Sequence, residues 1–125
     1  MTLTRARLSA QQRADREVTG AELQRMVTDL GSILGWRWVH FRAAKTQRGW
    51  RVPVEGPLGK GWPDLVLVHP MRRRTLAIEI KRELGDRPTP DQEYVHLMLR
   101  ESGWTVVVWR PSDLSEGRVE EELRR

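Results

Sequence analysis

Apolar residues along the chain fall into two rhythms, one of helical and one of strand period. Leu23, Met26, Val27, Leu30, Ile33 and Leu34 lie on one stripe at helical spacing, which predicts a helix that starts after Thr19 and ends at Gly35. Thr19-Gly20-Ala21-Glu22 has the form of a capping box, in which Glu22 reaches back to the backbone at the helix start. A second helix opens at Thr89-Pro90-Asp91-Gln92, again a capping box, with proline at its first position. Val95, Met98, Leu99 and Ser102 are expected on its buried side, Tyr94 and Leu97 at the margin, and Gly103 at its end.

Strands are predicted between and after these helices. Residues 36–42, WRWVHFR, are short, aromatic and β-branched, with Trp36, Trp38 and His40 on one face and Val39 and Phe41 on the other. Residues 61–81, GWPDLVLVHPMRRRTLAIEIK, read as two apolar strands joined by a short basic turn. Strand residues alternate faces, so Glu79 and Lys81 point one way while Leu76, Ile78 and Ile80 point the other. Residues 104–109, WTVVVW, suggest a strand buried on both faces, stopped by Pro111. From Ala43 to Gly61 no period is sustained, and Gly49, Gly56, Gly59, Pro53 and Pro57 predict a long loop with a small hairpin around Arg51 to Val54. The order helix, strand, strand, strand, helix, strand implies an α/β fold with a four-stranded mixed sheet flanked by helices.

At 125 residues the chain suits one domain, with boundaries expected as a polar basic arm over 1–18, a single domain over 19–113 and a polar tail over 114–125. The arm is expected to be mobile and the tail to fray or form a short polar helix. An apolar share of 38% argues against a disordered polymer. No cysteine is present, which excludes disulfides and thiolate metal sites, and three dispersed histidines make no zinc site. The first eighteen residues hold no apolar run of signal-sequence type, and no membrane span follows, so a cytoplasmic location in a bacterial or phage-infected cell is expected.

The net charge of +5 matters less than its distribution. Arg37, Arg42, Lys45, Arg48, Arg51, Lys60, Arg72, Arg73 and Arg74 face only Glu55 and Asp64 in the middle of the chain. Interleaved with Trp36, Trp38, Trp50 and Trp62, this stretch suits a phosphate backbone and stacked bases, the alternative being a solvated basic face over core tryptophans. Arg42, Lys45, Arg48, Arg51 and Lys60 are the candidate nucleic-acid contacts.

Against that basic background, Asp64 and Glu79 gather like charges on one sheet, an arrangement that costs energy unless a cation joins them. Mg²⁺ commonly takes one or two carboxylates and leaves places for water and substrate phosphate. Lys81 stands on the face where it can stabilise charge developing on a phosphodiester. Glu22 can add an acidic ligand, directly or through water, and Gln92 can hydrogen-bond the lysine or the nucleophile. Each has a structural alternative: capping for Glu22 and Gln92, a strand or turn start for Asp64, and an exposed same-face pair for Glu79 and Lys81. His40 is a packed strand residue rather than a base, with His69 and His96 offering less, and Arg72 to Arg74 form a solvated turn able to hold phosphates.

The set resembles the PD-(D/E)xK nuclease superfamily, through Pro63-Asp64 and Glu79-Ile80-Lys81, and more narrowly the virus-type replication-repair nuclease (VRR-NUC) family. The resemblance runs roughly from Glu22 to Asp113: a helix glutamate, Gly-Trp-Pro-Asp at 61–64, Glu-Ile-Lys at 79–81, a Thr-Pro-Asp-Gln helix start, and Val-Trp-Arg-Pro-Ser-Asp at 108–113. It implies a restriction-endonuclease-like αβββαβ core and metal-dependent cutting of DNA, with Mg²⁺ as cofactor and Mn²⁺ as its substitute. Carried over by position, Glu22, Asp64 and Glu79 are the metal-side acids, Lys81 the catalytic lysine and Gln92 the accessory residue. Small stand-alone members resemble Holliday-junction resolvases, which implies branched DNA as substrate and a homodimer, since two symmetric cuts need two sites. The Gly/Pro-rich segment before Gly61 departs from the shortest versions. A non-catalytic DNA-binding subunit with the same fold, and a structural domain with an ion-paired face, are the competing expectations.

Overall fold

The computed structural model describes residues 7–41, 44–46, 49–51 and 54–125, with residues 44–46 and 49–51 described through their backbone. Its central sheet has the order β1-β4-β5-β6, built from β1 (Arg37–His40), β4 (Leu65–His69), β5 (Arg74–Ile80) and β6 (Thr105–Trp109). β1 and β5 both pair antiparallel with β4, whereas β6 runs parallel to β5, which makes the sheet mixed. The parallel step requires a crossover, and α3 (Pro90–Glu101) provides it.

Both faces of the sheet are covered. α2 (Gly20–Ile33) lays Leu23 and Val27 against Trp36, Leu65, Leu67, Leu76 and Ile78 on one face. α3 lays Val95 and Leu99 against Ala77 and Val106 on the other. Alternation along β5 therefore sends Leu76 and Ile78 toward α2 and Ala77 toward α3, as the period of two requires. Thr19 and Thr89 cap the two helices with the reciprocal bonds of a capping box, and Gly35 and Gly103, both at φ +92°, follow their ends.

Several segments differ from the sequence expectation. The arm contains α1 (Ala10–Glu17), capped by Ser9 and Gln12. Asp15, 5% exposed, anchors it by accepting from Gln11 Nε2 at 2.9 Å and from Ser115 Oγ at 2.9 Å. AQQRADRE has no apolar stripe, so periodicity carried no signal for a helix held by one buried carboxylate. Ser115 ends α4 (Pro111–Ser115), and α5 (Arg118–Arg124) follows. The tail thus joins the core: Val119 and Leu123 are fully buried, and Trp36 Nε1 donates to Leu123 O at 2.9 Å. Arg74 leaves the basic turn to pair with Glu122 at 2.6 Å and lies 5.6 Å from the centroid of the Trp36 ring, while Arg72 donates to Arg125 O.

β6 is buried on both faces as expected, with Val106 in the α3-side cluster and Trp109 and Val107 in the α2-side one, although Thr105 is exposed and the strand lies at the edge of the sheet, paired with β5. The small hairpin lies earlier than 51–54, with β2 (Ala44–Thr46) paired to β3 (Gly49–Arg51). Pro53 has no N–H for a ladder, which disfavours the later placement. Among the described residues no helix is long and apolar enough to cross a membrane.

Candidate active site

The site forms where the β4–β5 ladder stops. Its register ends at Leu65 opposite Ile78, and beyond it the Asp64 side chain takes over, with Oδ2 accepting from Ile80 N at 2.9 Å. The Asp64 carbonyl accepts from Phe41 N at 3.0 Å, so the residue is pinned from both flanking strands. Glu79, two residues beyond Ala77, faces α3 and is only 2% exposed. Lys81 continues that face while its N–H donates to Trp109 O at 2.9 Å.

The first turn of α3 closes the site because the chain before Asp64 can approach it. Gly61 sits at φ +99°, and a Cβ placed there would lie 2.5 Å from Asp91 O and 2.8 Å from Gln92 N. Only glycine fits both the backbone angle and the gap. Gly61→Ala is expected to destabilise the fold by about 1–3 kcal/mol, measured by urea denaturation, and an unchanged midpoint would show that the approach is not required.

Gln92 is the hub of the hydrogen bonding. Its Oε1 accepts from Thr89 N at 2.9 Å, completing the cap, and from Lys81 Nζ at 3.1 Å. Its Nε2 donates to Glu79 Oε1 at 3.2 Å. Capping and site chemistry are thus served by one amide. One turn later His96, 2% exposed, brings Nε2 to 3.5 Å from Glu79 Oε2, and neither atom has a hydrogen-bond partner among the described residues.

Burial pushes the Glu79 carboxyl up to about 9, reinforced by the neighbouring Asp64 carboxylate, with Lys81 pulling the other way. Burial, then the charge of Arg100, lowers His96, which keeps its imidazole neutral. The His96–Glu79 contact is therefore within ion-pair distance but is not an ion pair in the metal-free protein. A carboxyl that ionises only near pH 9, with one oxygen unsatisfied, is short of a positive partner. Asp64 and Glu79 together fit a hard divalent cation of the Mg²⁺ kind, which is satisfied by one or two carboxylates. Among the described residues no three His, Asp or Glu side chains converge to form a fuller cage.

The structure brings together Asp64, Glu79, Lys81 and Gln92, but it does not bring Glu22 into their hydrogen-bond network. Glu22 is exposed and its Oε1 accepts from Thr19 N at 3.1 Å, so it acts as the α2 cap. The hydrogen bonds to Thr19, aided by Arg82 and Arg25, hold its carboxyl below the usual range. The α2 start nevertheless adjoins the end of β5, since a Cβ on Gly20 would lie 4.0 Å from Ile80 Cγ2.

Of the candidate nucleic-acid contacts, Arg42 and Arg48 lie outside the described residues, and Lys45 and Arg51 sit on β2 and β3, described by backbone alone. Lys60 pairs with Asp91 at 3.3 Å, an exposed contact worth roughly 0–1 kcal/mol that leaves the ammonium free to exchange partners. Trp36 is a core residue, and Trp62 packs edge-on between Phe41 and Trp104, whereas Trp38 is exposed. Sequence reasoning weighed His96 and set it aside, although its position four residues after Gln92 was an available signal. It passed over Arg16 and Arg82, which line a cavity of about 220 Å³ beside Leu84 and Gly85.

Comparison with known proteins agrees with this architecture. Residues 55–113, which contain Asp64, Glu79, Lys81, Gln92 and His96, match the family model of the VRR-NUC domain. A solved structure described as a VRR_NUC domain superposes with a TM-score of 0.55 at 22% identity, covering 81% of this chain and 96% of that one, a likeness of fold. No curated protein matches the chain. The family match spans the strands and the helix that carry these residues and the likeness of fold extends beyond it, so over residues 55–113 the chain is similar to VRR-NUC nuclease domains.

Proposed function

We propose that the protein is a Mg²⁺-dependent endodeoxyribonuclease that hydrolyses phosphodiester bonds in branched DNA, acting as a homodimer in the cytoplasm. The observation that carries the reading is the buried Glu79 held beside Asp64, with Lys81 fixed on the same face by Gln92. Asp64 and Glu79 would hold the cation. When bound, such an ion lowers the pKa of a coordinated water and neutralises charge growing on the phosphodiester.

The chain's own residues supply the remaining work. Lys81 Nζ spends one donor on Gln92 Oε1, and its other two are available to a non-bridging phosphate oxygen. A cation fixed in this way is worth most when the charge it meets appears only in the transition state. Gln92 keeps the ammonium from collapsing onto the carboxylates while it orients Glu79. Hydrolysis forms a bond from water oxygen to phosphorus and breaks one P–O ester bond, leaving a phosphate end and a hydroxyl end. The branched substrate and the dimer rest on the family resemblance and on the basic middle of the chain.

The test is cleavage of labelled four-way junctions, flaps and linear duplex by the purified protein with Mg²⁺, Mn²⁺ or EDTA. Cutting is expected with either metal, abolished by EDTA and strongest on branched DNA. No cutting of any substrate with either metal would overturn the catalytic reading, and equal cutting of linear duplex would overturn the preference for branches.

A further inference from the structure

α3 presents two polar side chains to the same carboxylate. Gln92 and His96 are four residues apart, hence on one helical face, and that face is turned into the protein. Gln92 Nε2 bonds Glu79 Oε1 at 3.2 Å, and His96 Nε2 stands opposite Glu79 Oε2 at 3.5 Å. Glu79 and His96 are each 2% exposed, so water does not satisfy the second pair of atoms. Besides Trp62 Nε1, these two are the buried side-chain polar atoms left without a partner among the described residues. Buried polar atoms are rarely left so, and two that face each other have a common solution.

We infer that His96 is a positioning residue for Glu79: its Nε2–H donates to Oε2, and together with Gln92 it fixes the carboxylate for a divalent cation. The inference rests on the metal-binding reading of Asp64 and Glu79. An imidazole suits the role, because its ring N–H can donate in the plane of a carboxylate from a rigid, buried position. A shift of a few tenths of an ångström brings the contact into hydrogen-bond range. Partners of this kind orient metal ligands and set their basicity. His96 is not a catalytic residue, since it acts through Glu79.

The test compares full-length wild type with His96→Leu and His96→Gln. Mn²⁺ affinity is measured by calorimetry without DNA, followed by kcat and KM on a four-way junction with Mn²⁺. His96→Leu keeps apolar packing but removes the donor, and is expected to weaken Mn²⁺ binding and lower kcat by roughly 10–100-fold with KM for DNA unchanged. His96→Gln, whose amide places an N–H near the same point, is expected to recover most of both. Wild-type Mn²⁺ affinity in a folded His96→Leu protein overturns the inference while leaving the metal reading intact. Absence of Mn²⁺ binding by wild type overturns both. If His96→Leu fails to fold, the crystal structure of wild type with Mn²⁺ decides: Nε2 and Oε2 within about 3.2 Å supports the role, and an imidazole turned away from Glu79 overturns it.

Discussion

Asp64→Asn is expected to lower the rate of DNA cleavage by about 10³-fold or more while leaving DNA binding intact. The amide keeps an oxygen to accept from Ile80 N, so the end of the β4–β5 ladder survives. What is lost is half of the negative charge that would hold the cation, whose electrostatic contribution of several kcal/mol corresponds to roughly three powers of ten in rate. Removing a negative charge from a surface that meets phosphates does not weaken binding and is expected to strengthen it slightly. Lys81→Met, which keeps the aliphatic stem, is expected to lose about 10²–10³-fold through the missing donor alone. Junction cleavage and a gel-shift assay in Ca²⁺ separate the two effects. A non-catalytic DNA-binding subunit predicts the same binding result but no cleavage by any version, and full activity in Asp64→Asn would remove the carboxylate pair from the mechanism.

Glu79→Gln is expected to abolish cleavage to a similar degree and yet make the metal-free protein more stable at alkaline pH. The Glu79 carboxyl lies at about 9 in the fold against an ordinary 4.5. The folded state therefore binds a proton that the unfolded state releases, and stability falls as pH rises between these values. That contribution is complete below about pH 4.5 and is lost as pH passes through about 9. Glutamine has no proton to lose and keeps an amide for the buried site, so its profile is expected to be flat over the window. In EDTA at pH 9 the variant should melt on the order of 5–10 °C above wild type, with the gap closing toward pH 5. Mn²⁺ should narrow the gap by raising only wild type. Parallel pH profiles for the two proteins would show that Asp64 and burial do not strain Glu79.

Much of this architecture was legible in the sequence because two elements carry it by period. Alternation along β5 placed Glu79 and Lys81 opposite Leu76 and Ile78 with no other information. The two capping boxes located the starts of α2 and α3, and the structure contains both. Gln92 was legible as either a cap or a site residue, and geometry makes it both. Glu22 offered the same ambiguity, and here the cap is what the hydrogen bonds show.

Two of the misreadings share a cause, which is that an apolar stripe takes no account of buried polar residues. On α3 helical spacing placed Val95 and Leu99 correctly on the buried side, but it left out His96, which is buried, and included Ser102, which is exposed. A histidine that is buried because a carboxyl awaits it adds nothing to the stripe. α1 was missed for the same reason, since its anchor is the buried Asp15. Gly61 was read as the end of the loop and the first residue of Gly-Trp-Pro-Asp, without its packing role, because the approach of Asp91 that excludes a side chain arises only when strand and helix are packed together.

The shared oxygen of Gln92 has a consequence for how the protein would fail. Thr89 N and Lys81 Nζ converge on that one atom, so the first turn of α3 and the placement of the lysine are a single cooperative unit. Helix ends fray at far lower free energy than whole domains unfold. On warming, or in dilute denaturant, opening of that turn would release Lys81 and Glu79 together while the sheet behind them stays intact. Loss of activity would then precede loss of secondary structure and be reversed by cooling, a thermal off-state set by one helix turn and not by the melting of the domain.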